Sequence, residues 1–116
     1  MNIAVIGTGM VGRLIAVELS KKHQVYAIDN NISNLDKLKK HNTKIITRKI
    51  DVKNEKFLDY LEDTELIVNC VPGFMGFETA KKILAKKQCV DISFMPEDCN
   101  NLKTIAKNAN TALYPD

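Results

Sequence analysis

Three glycines within the first twelve residues constrain this chain more than any other feature. Met1-Asn2-Ile3-Ala4-Val5-Ile6 runs into Gly7-Thr8-Gly9-Met10-Val11-Gly12, a G-x-G-x-x-G spacing directly behind a continuous apolar run. Residues 3–6 have the character of a parallel strand buried on both faces. Behind the glycines, Val11, Leu14, Ile15 and Leu19 recur at i, i+3, i+4 and i+8, which predicts a helix with that face turned inward. A strand–turn–helix of this kind gives each glycine a task. Gly7 permits the tight turn, Gly9 leaves bare backbone for a pyrophosphate, and Gly12 lets the helix pack close to the strand. The first helical amides, near Met10 and Val11, lack intrahelical acceptors and sit at the positive end of the helix dipole. The turn is therefore an anion site that needs no charged side chain, and Thr8, Met10 and Val11 join the glycines as candidates.

A second apolar run, Val25-Tyr26-Ala27-Ile28, ends in Asp29, 22 residues after Gly7. An acid at that place in a dinucleotide site accepts hydrogen bonds from both hydroxyls of the adenosine ribose. The plainer role is to cap the next helix or open a turn. Strand, glycines, helix, strand and acid in this order read as nucleotide binding. The neighbours Asn30 and Asn31 supply no arginine for a 2′-phosphate, so NAD is the expected cofactor and Asn30 a further contact.

Beyond Asp29, Ile32, Leu35 and Leu38 predict a short amphipathic helix behind a capping Asn30-Asn31. A third strand is expected from Ile45 to about Ile50, with Asp51-Val52 at its carboxyl end, and Phe57, Leu58 and Leu61 form the apolar face of a third helix. Residues 65–71 read as a fourth strand broken by Pro72-Gly73, after which a fourth helix turns Phe77, Ala80, Ile83 and Leu84 inward. Residues 89–93 make a fifth strand, Leu102, Ile105, Ala106 and Ala109 mark a fifth helix, and residues 111–114 a sixth strand. Strict alternation of strands and helices implies a parallel sheet with helices on both faces. The expected fold is α/β: a doubly wound six-stranded parallel sheet of the Rossmann type, order 3-2-1-4-5-6, in one domain over residues 1–116.

Composition excludes several classes. The net charge of +3 comes from 17 basic against 14 acidic residues, and most of the basic ones are lysines in scattered pairs such as Lys21-Lys22 and Lys86-Lys87. That pattern describes a solvated surface, not the arginine- and aromatic-rich patch of a nucleic-acid binder. No apolar stretch approaches the roughly 20 residues of a membrane span, and with Met1 leading straight into the first strand no signal peptide is expected. Cys70, Cys89 and Cys99 show no C-x-x-C spacing, so neither a disulfide frame nor a metal site is expected, and a reducing, cytoplasmic compartment fits.

From Leu66 onward the sequence is more specific than its fold. Val71-Pro72-Gly73-Phe74-Met75-Gly76-Phe77 and Val90-Asp91-Ile92-Ser93-Phe94-Met95-Pro96-Glu97 resemble the corresponding stretches of the saccharopine dehydrogenase-like family, in particular its lysine dehydrogenase and saccharopine reductase-related members. The resemblance covers essentially the whole chain. It implies the N-terminal part of a longer NAD-dependent oxidoreductase that acts on the CH–NH group of an amino acid of the saccharopine or lysine type. A second domain there completes the substrate pocket and the dimer, so a homo-oligomer is expected. The resemblance also implies roles at the strand ends: Asp51 toward the adenine amino group, Val52 on the ring, Val71-Pro72-Gly73 beneath the nicotinamide-side ribose, and Ser93 near the nicotinamide. Asp51 as a helix N-cap, residues 71–73 as a plain turn and Ser93 as a satisfied loop hydroxyl remain the alternatives. Asp116 would border the substrate cavity. Arg13 either reaches a phosphate or stands exposed.

Cys70 lies at a strand end beside the cofactor path, yet without a base in reach it reads as a buried thiol. His23 and His41 approach strands two and three from the amino-terminal edge, the wrong edge for chemistry in a parallel sheet. The catalytic residues are therefore unassigned. A competing expectation is a nucleotide-sensing regulatory domain of the kind that gates potassium channels. A short-chain dehydrogenase is disfavoured, because no tyrosine has a lysine four positions on.

Overall fold

The computed structural model describes residues 1–41, 44–54, 56–71, 73–92 and 113–115. The strands are β1 (Asn2–Ile6), β2 (Gln24–Asp29), β3 (Ile46–Lys49), β4 (Leu66–Asn69) and β5 (Gln88–Asp91). They lie parallel in the order 3-2-1-4-5, and a three-residue strand β6 (Leu113–Pro115) pairs with β5 from Cys89 opposite Leu113 to Asp91 opposite Pro115. Helices α1 (Met10–Leu19), α2 (Ile32–His41) and α3 (Gly73–Leu84) and a 3₁₀ turn (Phe57–Leu61) fill the crossovers. The expected fifth helix lies outside the described residues.

Alternation along β1 builds two cores. Ile3 and Val5 join Ala16, Val25, Ala27, Leu35, Leu38 and Ile45 on one face of the sheet. Ala4 and Ile6 join Ile28, Phe57, Leu61, Ile67, Ala80, Ile83 and Leu84 on the other. The first set carries α1 and α2, the second the 3₁₀ turn and α3, so the sheet is covered on both sides. Continuous apolar strands are the sequence signature of that burial. At the open edge of β3, Arg48 lies over the Tyr26 ring at 4.5 Å and reaches the Tyr60 carbonyl and Asp63.

Two expectations need correction. Helix α1 does not turn Val11 and Leu14 inward: they are 58% and 68% exposed, beside Met10 at 74%. Gly12 and Ala16 are the buried positions, flanked by Ile15 and Leu19. The phase is set by Gly12, where an added Cβ would fall 1.8 Å from the Gly7 carbonyl oxygen. Only a residue without a side chain can face the turn so closely, and the helix rotates to put it there. The third helix is a five-residue 3₁₀ turn, wound tightly enough to bury Phe57, Leu58 and Leu61 together.

Register brings the carboxyl ends of the strands into line. Ile6 stands opposite Ile28 on one side and Asn69 on the other, and Asn69 opposite Asp91. The order reverses between β1 and β4, and the turns leaving those strands diverge into a cleft.

Candidate nucleotide-binding site

The cleft holds about 470 Å³ and is walled by residues 6–12, Ile28, Asp29, Asn30, Asn31, Asn34, Ile50, Asp51, Val52, Cys70, Val71 and Met75. Its size lies within the roughly 300–1,000 Å³ usual for small-molecule sites. Three turns that are far apart in sequence meet there.

The first turn is built by its glycines. Gly7 has φ +89°, a left-handed conformation, and an added Cβ would come 2.7 Å from the Cys70 carbonyl oxygen. Its amide donates to the Ile28 carbonyl at 2.8 Å, extending the β1–β2 ladder into the loop. Gly12 closes the turn from the helix side, against the Gly7 carbonyl and the Cys70 side chain. Gly9 is different: an added Cβ would meet nothing within 4 Å. It is the N-cap of α1 without a side-chain cap, so the first amides of the helix face open space. A bare, helix-headed concavity of this kind fits a pyrophosphate.

Asp29 ties the first turn to the second. Its Oδ2 accepts the Thr8 amide at 2.9 Å and the Thr8 hydroxyl at 2.8 Å. The Asn34 side-chain amide reaches the same oxygen at 3.4 Å, and Oδ1 accepts the Asn31 amide at 2.9 Å. Partial burial pulls the carboxyl pKa up, but the donors from Thr8, Asn31 and Asn34 outweigh it and hold the pKa below the ordinary value. Asn31 in turn caps α2, its side-chain oxygen accepting the Ser33 amide at 3.0 Å and the Asn34 amide at 3.3 Å.

In the third turn Asp51 accepts the Lys53 amide at 2.9 Å and heads a turn at the cleft wall. Val52 is buried beside the cleft, and its carbonyl is held by the Lys82 ammonium of α3 at 3.0 Å. Cys70 and Val71 form the floor. Burial, then the nearby Asp91 charge, pushes the Cys70 thiol up to about 12, and Cys89 is raised for the same reasons. These are inert thiols. Asn69 and Asp91 are buried beneath the floor, where the Asn69 amide donates to the Gly76 carbonyl at 3.2 Å and to Asp91 at 3.3 Å.

The structure thus gathers Gly7, Thr8, Gly9, Met10, Val11, Gly12, Asp29, Asn30, Asp51, Val52, Cys70 and Val71 around one cleft. Gly73 opens α3 directly after this floor, while Pro72, Ser93 and Asp116 lie outside the described residues. Arg13 is absent from the walls. Asn31, Asn34, Ile50 and Met75 belong to the cleft but were not expected there. Asn34 stands five residues after the acid, a polar residue in the first turn of α2, and that placement is the signal for it. Among the described residues, no three His, Cys, Asp or Glu side chains gather as a metal site, and no helix is long and apolar enough to cross a membrane.

The family model described as the saccharopine dehydrogenase NADP binding domain matches residues 3–113. No curated protein matches the sequence. Among solved structures, saccharopine dehydrogenase (L-Glu forming) from Saccharomyces cerevisiae is similar with a TM-score of 0.79 at 20% identity, over 97% of this chain and 26% of that one. Shikimate dehydrogenase from Mycobacterium tuberculosis is similar with a TM-score of 0.75 at 16% identity, over 98% and 45%. Biliverdin reductase from Synechocystis, in complex with biliverdin and NADP+, has a TM-score of 0.76 at 15% identity, over 99% and 37%. At such identities the likeness is one of fold. The chain spans from about a quarter to under half of the length of these proteins.

Proposed function

We propose a function from one premise: this chain belongs to the family of saccharopine dehydrogenase NADP-binding domains. It is the pyridine-nucleotide-binding part of an oxidoreductase that acts on the CH–NH group of an amino acid of the saccharopine or lysine type. The cofactor supplies the hydride chemistry, and this domain binds and orients it. The observation that carries the reading is the cradle itself: open space at Gly9 beside the α1 amides, with a fixed carboxylate at Asp29. Residues 7–12 would hold the pyrophosphate, Asp29 the adenosine ribose, and Asp51 and Val52 the adenine. Val71 to Gly73 and Ser93 would serve the nicotinamide side.

NAD is preferred in this reading, although the family description names NADP. A carboxylate favours ribose hydroxyls and repels a 2′-phosphate by up to about 4 kcal/mol at 4 Å in an effective dielectric near 20. The full doubly wound sheet of six strands, a cytoplasmic setting and a homo-oligomer belong to the same reading. The exposed Met10, Val11 and Leu14 beside the cleft suit contact with a substrate-side domain or a second copy. Calorimetric titration of both reduced cofactors tests the assignment. Tighter NADH binding is expected, and equal or tighter NADPH binding would show that Asp29 has been misassigned.

A further inference from the structure

We infer that the Thr8 hydroxyl sets how sharply this cleft separates NAD from NADP. The inference rests on the reading of Asp29 as the ribose-binding acid. A carboxylate offers about four lone-pair sites, two on each oxygen. Oδ2 of Asp29 already receives the Thr8 amide at 2.9 Å, the Thr8 hydroxyl at 2.8 Å and the Asn34 amide at 3.4 Å. Oδ1 receives the Asn31 amide at 2.9 Å. One oxygen is saturated from within the protein, and the other keeps a single site. A ribose diol that needs two acceptors meets one, and a carboxylate shared among four donors repels a 2′-phosphate less than a bare one.

The four donors are not equivalent. The Thr8 and Asn31 amides belong to the main chain, one in the phosphate turn and one at the head of α2, and each holds a different oxygen. Together they fix the carboxylate whatever side chain stands at position 8. Asn34 is the longest of the contacts. The Thr8 side chain is fully buried, so its hydroxyl cannot exchange Asp29 for water without opening the turn. What that hydroxyl adds is a dipole that quenches the acid, not an orientation. Within a family described by NADP, it tempers a carboxylate that would otherwise exclude the phosphorylated cofactor.

The experiment titrates NADH and NADPH into the parent, Thr8→Val, Thr8→Ser and Asp29→Ala, with melting temperatures taken on the same samples. Thr8→Val removes the shortest of the three contacts on Oδ2, leaves that oxygen with the Thr8 amide and the long Asn34 contact that a ribose hydroxyl can displace, and keeps both main-chain amides in place. The ratio of NADPH to NADH dissociation constants should rise by about three- to tenfold, the share of a single hydrogen bond. Thr8→Ser keeps the hydroxyl and should keep the parent ratio. An unchanged or lower ratio in a folded Thr8→Val overturns the inference. If Thr8→Val fails to fold, Thr8→Ala, which lacks the hydroxyl and adds no methyl in its place, carries the same expectation and the same refutation. Asp29→Ala separates the two levels. If it leaves the parent ratio unmoved, Asp29 is not the discriminating acid and both readings fall. If it collapses the ratio while the Thr8 variants do not move it, this inference alone falls. A parent that binds neither nucleotide removes both.

Discussion

Asp29 illustrates how one side chain can serve the fold and the site together. Its carboxylate joins the first turn to the head of α2 through two main-chain amides. Its pKa in the fold lies below the value of about 3.9 expected in an unfolded chain. The stability it contributes is therefore complete above that value and is lost as pH falls through the lower, folded-state pKa. Asn at this position has one acceptor oxygen and cannot receive both amides. Asp29→Asn should cost about 1 kcal/mol at pH 7, discounted for the half-exposed site. The gap to the parent should shrink as the pH drops below about 4. Denaturant melts of both proteins between pH 7 and pH 2.5 measure it, and a gap that stays constant into acid would contradict this account. Asp29 was legible in the sequence because its distance from the glycines and its place behind an apolar run are local facts. Its partnership with Thr8 was not, because that contact exists only once β1 and β2 pair in register.

At the scale of the element, α1 shows where periodicity misleads. Counting large apolar residues selects Val11, Leu14, Ile15 and Leu19, but the helix packs through Gly12 and Ala16. Small residues carry little hydrophobic signal, yet they decide how near a helix may come to a sheet. The glycines of the turn accordingly differ in kind, and two substitutions separate them. Gly9→Val places a side chain in open space at the helix N-cap, so it should cost about 1 kcal/mol or less and abolish cofactor binding. Gly12→Ala drives a Cβ into the Gly7 carbonyl and should cost about 3 kcal/mol, the upper end of ordinary overpacking. Thermal melts paired with cofactor titration distinguish the two. A stable Gly12→Ala or a Gly9→Val with normal affinity would undo the division of labour. The 3₁₀ turn escaped prediction for a related reason. Phe57, Leu58 and Leu61 have the same spacing in either helix type, so their apolar pattern does not tell one from the other.

At the scale of the molecule, alternating strands and helices were enough to give the order 3-2-1-4-5, because right-handed crossovers leave few other topologies. The cleft then follows from the reversal of order between β1 and β4. Chemistry asks for more than this. Hydride transfer needs a substrate carbon held about 3–3.5 Å from the nicotinamide, and a base near the amine being oxidised. The described strand ends line the cleft, His23 follows α1 on the amino-terminal edge, and Cys70 is inert. On the proposed reading, residues 1–116 should bind cofactor and turn nothing over. The assay is NADH formation from lysine, saccharopine and other amino acids, with binding confirmed in the same sample. Steady turnover would require a base within this domain. The 74% exposure of Met10 has a practical consequence for such a sample. Its thioether stands at the rim of the cleft, open to peroxide, and a seated cofactor would shade it. Met1, 59% exposed at the opposite end of β1, would remain open. Oxidation to the sulfoxide should therefore slow at Met10 and not at Met1 when cofactor is added, as read from peptide masses. The chain carries its own gauge of occupancy, with an internal reference nine residues earlier.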